Sequence, residues 1–249
     1  MRFGVRQLMA VFVCLPMLAG FGAAGVQARD GQTRFILAVS WEPAFCATNR
    51  RKAECRGETS ASADARQLSL HGLWPMRQDY CGVSDDQRQA DRSSDWNSLP
   101  EVALSAETRA VLDKVMPGTQ SALERHEWIK HGTCTRLSPD EYFGTAAGLV
   151  GELNASAVGT LFSQNVGKTL DAETIKAAFD SSFGEGASDR VKMSCRQVGA
   201  TRVISELTIG LSEDAIQPGQ TGPRLAKLIQ RAGTTSFGCN EGTVAAVGR

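Results

Sequence analysis

Seven cysteines punctuate this 249-residue chain, and their placement restricts its fold more than any other feature. Cys14 lies inside an apolar N-terminal run. The other six, Cys46, Cys55, Cys81, Cys134, Cys195 and Cys239, are spread over the rest of the sequence. An even number in an exported chain points to three disulfides formed in an oxidising compartment. None of the six makes the close CxxC pairs expected of structural zinc. Six cysteines allow 15 pairings, so the residues by themselves leave the connectivity open.

Export is read from the N-terminus. "MRFGVRQ" carries two arginines and no acid, an apolar run follows, and Val26 and Ala28 provide a small-residue exit. This is the pattern of a signal peptide over residues 1–28, leaving 29–249 as a single domain. A membrane anchor is the alternative; Pro16, four glycines and the small-residue exit argue against it. No other apolar run approaches membrane-spanning length. The expectation is a periplasmic or secreted protein with no membrane association after cleavage. The 27 basic and 27 acidic residues balance. Loss of Arg2 and Arg6 leaves 25 basic against 27 acidic groups, a net charge near −2. A polyanionic partner must then be met by a local basic patch rather than by global charge.

"FILAVSW", residues 35–41, reads as a buried strand. "RQLSLHGLWP" alternates Leu68 and Leu70 on one face with Ser69 and His71 on the other, which projects His71 from the polar side of a strand end. Residues 76–100 are polar and turn-rich, a functional or disulfide-tied loop. "SAETRAVLDKVMPG" aligns Val111, Leu112, Val115 and Met116 on one helical face. "SPDEYFGTAAGLVGEL" opens on a capping box of Ser138 and Glu141, with Pro139 in the first turn. "DAETIKAAFDSSFG" is a further helix, capped by Asp171. "RVKMSC" and "VISELTIGLS" read as strands, "PRLAKLIQRAG" as a short helix, and the tail from Thr235 as a last strand. Helices and strands mix without a βαβ rhythm, so the class is α+β.

Two of the three histidines fall in "HEWIKHGTC", residues 126–134. With residues 119–131 helical and Gly132 as the C′ stop, set His126 at zero. Lys130, Glu127 and His131 then fall at about 40°, 100° and 140°. Trp128 and Ile129 lie on the other side, at about 200° and 300°. "HEWIKH" is one residue longer than the zincin HExxH, whose histidines stack at i, i+4. Here a lysine stands between the pair and repels a cation. No metal site and no cofactor is expected. The reading that uses every group is acid–base chemistry on a phosphodiester. An imidazole takes or gives a proton near neutral pH, an ammonium neutralises phosphoryl charge, and a carboxylate tunes a histidine. His71 in "SLHGLWP" is the one histidine left for the leaving-group side.

"SLHGLWP" (69–75) and "HEWIKHGTC" (126–134) resemble the two catalytic signatures of the ribonuclease T2 family. "ILAVSWEPAFC" (36–46) resembles its first strand and first cysteine. The resemblance covers Phe35 to Phe143 and beyond that rests on Cys195, Cys239 and the strand pattern. It implies a central, mainly antiparallel sheet flanked by helices and stapled by Cys46–Cys55, Cys81–Cys134 and Cys195–Cys239. It implies a metal-independent endoribonuclease that cuts single-stranded RNA through 2′,3′-cyclic phosphates. In these terms His131 is the base on the ribose 2′-hydroxyl and His71 the acid on the departing 5′-oxygen. Glu127 and Lys130 support the pentacoordinate transition state, His126 binds phosphate, and Trp74 stacks on the base 5′ of the cut. Tyr80 is a candidate second stacking ring. The implied partner is single-stranded RNA alone, and the expected state is a monomer.

Two positions depart from the family pattern. Met76 stands where an acid or amide often follows the HGLWP proline, and Leu123 where an aromatic often stands three residues before the second signature. Low base specificity is the expectation. A catalytically silent RNA-binding protein on the same fold competes weakly, because no catalytic position is replaced. A metal-dependent hydrolase is disfavoured by the histidine spacing.

Overall fold

The computed structural model describes residues 31–212 and 224–248, with Met1, Gly4 and Ala215. The leader expected over residues 1–28 lies, but for Met1 and Gly4, outside the described residues. Six strands form one sheet: β1 Phe35–Ser40, β2 Ser69–Pro75, β3 Thr169–Asp171, β4 Val191–Val198, β5 Thr201–Leu211 and β6 Glu241–Thr243. Their order is β2-β1-β5-β6-β3, with β4 also paired to β5. The pairings are antiparallel except for β5 and β6, which meet in parallel at Val203 and Thr243. The helices are α1 Glu42–Cys46, α2 Ala53–Arg56, α3 Asp85–Arg92, α4 Ala106–Val115, α5 Leu123–Lys130, α6 Pro139–Asn154, α7 Ala157–Gln164, α8 Ala172–Phe183 and α9 Leu225–Gln230. The class expected from the sequence, α+β with a mainly antiparallel sheet, is the class observed.

Leu37, Val39, Leu73, Leu207 and Ile209 of the sheet pack in one core with Leu149 and Val150 of α6 and Phe179 of α8. Each such side chain contributes about 1.5–3 kcal/mol by leaving water. The helices start where the sequence puts caps. Ser138 accepts from the Glu141 N–H while the Glu141 carboxylate accepts from the Ser138 N–H. Asp171 accepts from Thr174. The apolar stripe of α4 is narrower than expected: Leu112 and Met116 are buried, but Val111 is 48% exposed. Leu112 faces the core, and Val111, one residue earlier, points about 100° away from it.

The structure joins Cys46 to Cys55, Cys81 to Cys134 and Cys195 to Cys239, the pairing the resemblance implies. Cys81–Cys134 ties the loop after β2 to the end of the second signature. That loop closure is worth about 4 kcal/mol by chain entropy.

The second signature folds differently from one helix over 119–131. Pro117–Ser121 is a 3₁₀ turn, Ala122 takes the left-handed conformation at φ 59°, and α5 begins only at Leu123. A Cβ on Gly118 would lie 2.6 Å from Leu123 Cδ2, so this turn needs a glycine. Gly132 is not a left-handed stop either. It opens a second 3₁₀ turn, Gly132–Cys134, and a Cβ there would overlap the Trp128 ring.

Candidate active site

The register of β1 with β2 pairs Ala38 with Gly72 and Val39 with Leu70, leaving His71 as the extra residue of a β-bulge. A bulge bends its strand and re-aims a side chain. It also lets Leu70 and Leu73, three apart, both enter the core, which strict alternation forbids. A second bulge, opposite Ser194 and Cys195, leaves Ser205 unpaired just before Glu206. From these two kinks His71 Nδ1 and Glu206 Oε2 meet at 2.7 Å. Burial pulls the His71 pKa down, but the hydrogen bond to Glu206 and the charges of Glu127 and Glu206 outweigh it, so the net shift is upward. The imidazole keeps 33% of its side-chain surface exposed, so substrate can reach it.

Glu127 is fully buried under that histidine. Trp74 Nε1 donates to its Oε2 at 2.8 Å. Its Oε1 lies 3.7 Å from His71 Nε2 and 3.8 Å from His126 Nε2, and makes no hydrogen bond. Burial pushes the Glu127 carboxyl up, against the pull of His71, His126, the Trp74 N–H and Lys130. Gly72 makes the approach possible, because a Cβ there would overlap Glu127 Oε2.

His126 is held from behind. Its Nδ1 lies 2.6 Å from Asp91 Oδ1, and the Trp96 ring stacks on it at 4.5 Å. Asp91 is buried in α3, and its Oδ2 accepts from the Tyr80 hydroxyl at 2.7 Å. Tyr80, a candidate second stacking ring in the sequence, is therefore turned into the protein. It is 8% exposed, and burial together with Asp91 pushes its phenol up to about 12. The guanidiniums of Arg88 and Arg92 lie 5.5 Å and 5.7 Å from its ring. The inward turn has a local cause: Tyr80 N–H donates to Lys130 O at 2.8 Å, φ is 50°, and the next residue is locked by Cys81–Cys134.

His131 caps the C-terminus of α5 and lies 5.6 Å from the Trp74 ring. Burial, then the charges of Lys130, His126 and His71, lower its pKa to about 3. It is neutral at physiological pH, and its Nδ1 is buried without a hydrogen-bond partner. The structure thus gathers His71, Trp74, His126, Glu127, Lys130 and His131. It adds Asp91 and Glu206, which the sequence reading missed. Glu206 has one signal, a lone acid inside the apolar alternation of β5; Asp91 has none, because the stretch 76–100 reads as a polar loop while the structure folds 85–92 of it as α3.

Beside His71 opens a pocket of about 320 Å³, with Ser40, Glu42, Trp96 and Leu123 in its walls. Among the described residues, Glu42, Cys46 and Cys55 bring donor atoms close enough for a metal, but the two sulfurs are bonded to each other and offer no thiolate. An imidazole biased toward its proton and one biased against it, on either side of one tryptophan, can deliver and remove protons around a single phosphorus. The profile of the ribonuclease T2 family matches residues 32–221. The chain belongs to the ribonuclease T2 family. It is 36% identical over 206 residues to Ribonuclease I of Escherichia coli, covering 74% of this chain and 76% of that one. Ribonuclease T2 of Homo sapiens is 28% identical over 155 residues, covering 59% of this chain and 54% of its own. The SF11-RNase of Nicotiana alata has the same fold, with a TM-score of 0.50 at 18% identity over 77% of this chain and 92% of that one. Family and relatives make this T2 chain an endoribonuclease, with the cyclic-phosphate chemistry general to the family. No described helix is long and apolar enough to cross a membrane.

Proposed function

We propose that His131 and His71 are the base and acid of that cleavage. The observation that carries this is the placement of the two imidazoles against one ring, His71 at 5.1 Å and His131 at 5.6 Å from Trp74, with the buried Glu127 carboxyl beside His71; their opposite proton biases agree with it. Neutral His131 removes the ribose 2′-proton. The 2′-oxygen then attacks phosphorus, and the 5′-oxygen leaves with the proton of His71 Nε2. The products are a 2′,3′-cyclic phosphate and a free 5′-hydroxyl. Slower hydrolysis to a 3′-phosphate runs the two histidines in reverse.

Glu127 fits this scheme by position: its Oε1, 3.7 Å from His71 Nε2 and 3.8 Å from His126 Nε2, orients both imidazoles beneath the phosphate and supports the pentacoordinate transition state. Lys130 adds charge at the same centre, and His126 offers Nε2 to phosphate. Trp74 stacks on the base 5′ of the cut, and the pocket beside His71 takes the nucleoside on the leaving side. Stacking needs an unpaired base, which makes single-stranded RNA the substrate. RNA supplies its own nucleophile, so no metal-activated water is required. The enzyme acts as a monomer, exported through the leader over residues 1–28 to the periplasm or the medium; the even cysteine set and the three disulfides support that compartment.

The deciding experiment is incubation with RNA in excess EDTA. Activity persists and leaves 2′,3′-cyclic ends, while His71→Ala and His131→Ala each lose on the order of 10²-fold or more in turnover. Activity recovered only with added zinc or magnesium overturns the scheme.

A further inference from the structure

A polyanion meeting a chain with balanced charge needs a local basic patch. The loop inside the Cys46–Cys55 disulfide carries three successive basic residues, Arg50, Arg51 and Lys52. Lys52 N–H donates to Asn49 O at 2.9 Å, closing a turn with Arg50 and Arg51 at its tip. Asn49 and Lys52, the two ends of that turn, both line the pocket beside His71. Arg50 and Arg51 between them are exposed and engaged with no other described residue.

We propose that this turn is a phosphate-binding subsite for RNA running beyond the 3′ side of the cut, with Arg50 and Arg51 contacting successive phosphodiesters. The direction rests on the reading of His71 as the acid, since the pocket on its side then holds the leaving nucleotide. The tip is fixed in place. Cys46–Cys55 closes the loop, Asn49 Nδ2 donates to Phe45 O at 2.8 Å, and Arg196 reaches Thr48 at 3.0 Å. A preordered tip loses little entropy on binding. Lys52 Nζ lies 4.7 Å over the Trp96 ring that stacks on His126, so basic charge runs from the site to the tip. Of the two carboxyls lining the pocket, Glu42 is buried, and burial followed by Glu54, Asp64 and Glu58 pushes it up to about 8; Glu54 is buried and accepts from the Ser121 hydroxyl.

The test uses deoxyoligonucleotides carrying a single cleavable ribonucleotide, extended by three nucleotides on its 3′ or its 5′ side, beside a dinucleoside monophosphate. At low salt the wild-type protein gains about tenfold in kcat/KM from the 3′ extension. Arg50→Ala/Arg51→Ala removes that gain, flattens the salt dependence by about 1.4 log units per log unit of salt, and cleaves the dinucleoside monophosphate at the wild-type rate. Arg50→Lys/Arg51→Lys keeps most of the gain. A gain that follows the 5′ extension, no gain from either, or an equal loss on the dinucleoside monophosphate overturns the subsite. A wild-type protein that cleaves none of these substrates overturns the proposed function instead.

Discussion

His71 Nδ1 and Glu206 Oε2 stand 2.7 Å apart on two strands that never pair with each other, since β1 runs between them. The contact fixes the ring orientation and leaves Nε2 to face the substrate. It also raises the pKa of the group that must hold a proton at the start of the reaction.

Glu206→Gln keeps the hydrogen bond and removes the charge. His71 then loses its proton at lower pH. The alkaline limb of kcat/KM against pH moves down by about one unit, an interaction of roughly 1.4 kcal/mol. The acid limb, set by neutral His131, stays where it is. An unmoved alkaline limb in a folded variant shows that Glu206 does not tune the acid.

Gly72→Ala places a methyl where Glu127 Oε2 lies, 2.5 Å from Trp74 Nε1. Backbone and buried carboxyl cannot both stay. Overpacking of this kind costs about 1–3 kcal/mol, and displacement of Glu127 lowers kcat by on the order of 10²-fold. Thermal unfolding separates the two effects. Wild-type turnover in this variant contradicts the position given to Glu127.

The sequence carries the parts of this site that obey local periods, and it loses those set by pairing. Ser138, Asp171 and the strand at 35–40 follow from caps and alternation. Alternation puts His71 at a strand end, but the bulge that aims it depends on which residues of β1 it faces. Glu206 enters through the same kind of slip. Tyr80 turns inward because of Cys81–Cys134 and the Lys130 carbonyl, and Asp91 comes from α3, a helix inside the stretch 76–100 that reads as a polar loop; neither is visible in a local pattern. The helix carrying "HEWIKH" is shorter than its periodicity suggests, because Gly118 and Gly132 answer to Leu123 and Trp128, not to helix geometry alone.

Asp91 holds His126 and Tyr80 together. Asp91→Asn keeps the shape and loses the charge-assisted bond to His126, a difference of roughly 1.5 kcal/mol. Since His126 is proposed to grip phosphate, KM rises about tenfold while kcat stays within a few-fold. Steady-state kinetics on a short oligonucleotide decide it. A fall confined to kcat assigns His126 to the chemistry rather than to binding.

The last expectation concerns which bases are cut. Met76, after the second-strand proline, is 39% exposed, and its thioether is a flexible apolar group with weak hydrogen-bonding capacity. It cannot reward one base edge as an amide or a carboxylate can. Leu123 lines the pocket beside His71, on the leaving side, with an aliphatic side chain, which gives the 3′ base contact area and no polar readout. Tyr80, turned into the protein toward Asp91, supplies no second ring. What remains for the 5′ base is the Trp74 ring, and stacking accepts any base because each has a π-face. Cleavage therefore follows all four nucleotides, with rates spread by about tenfold, the scale of one hydrogen bond gained or lost. Initial rates on the sixteen dinucleoside monophosphates measure this directly. Replacing Met76 with Gln restores a donor and an acceptor at the same place, and widens the spread among 5′ bases without changing the pH profile. A wild-type preference above a thousandfold for one 5′ base would mean that a polar pocket, not the Trp74 face, selects the substrate.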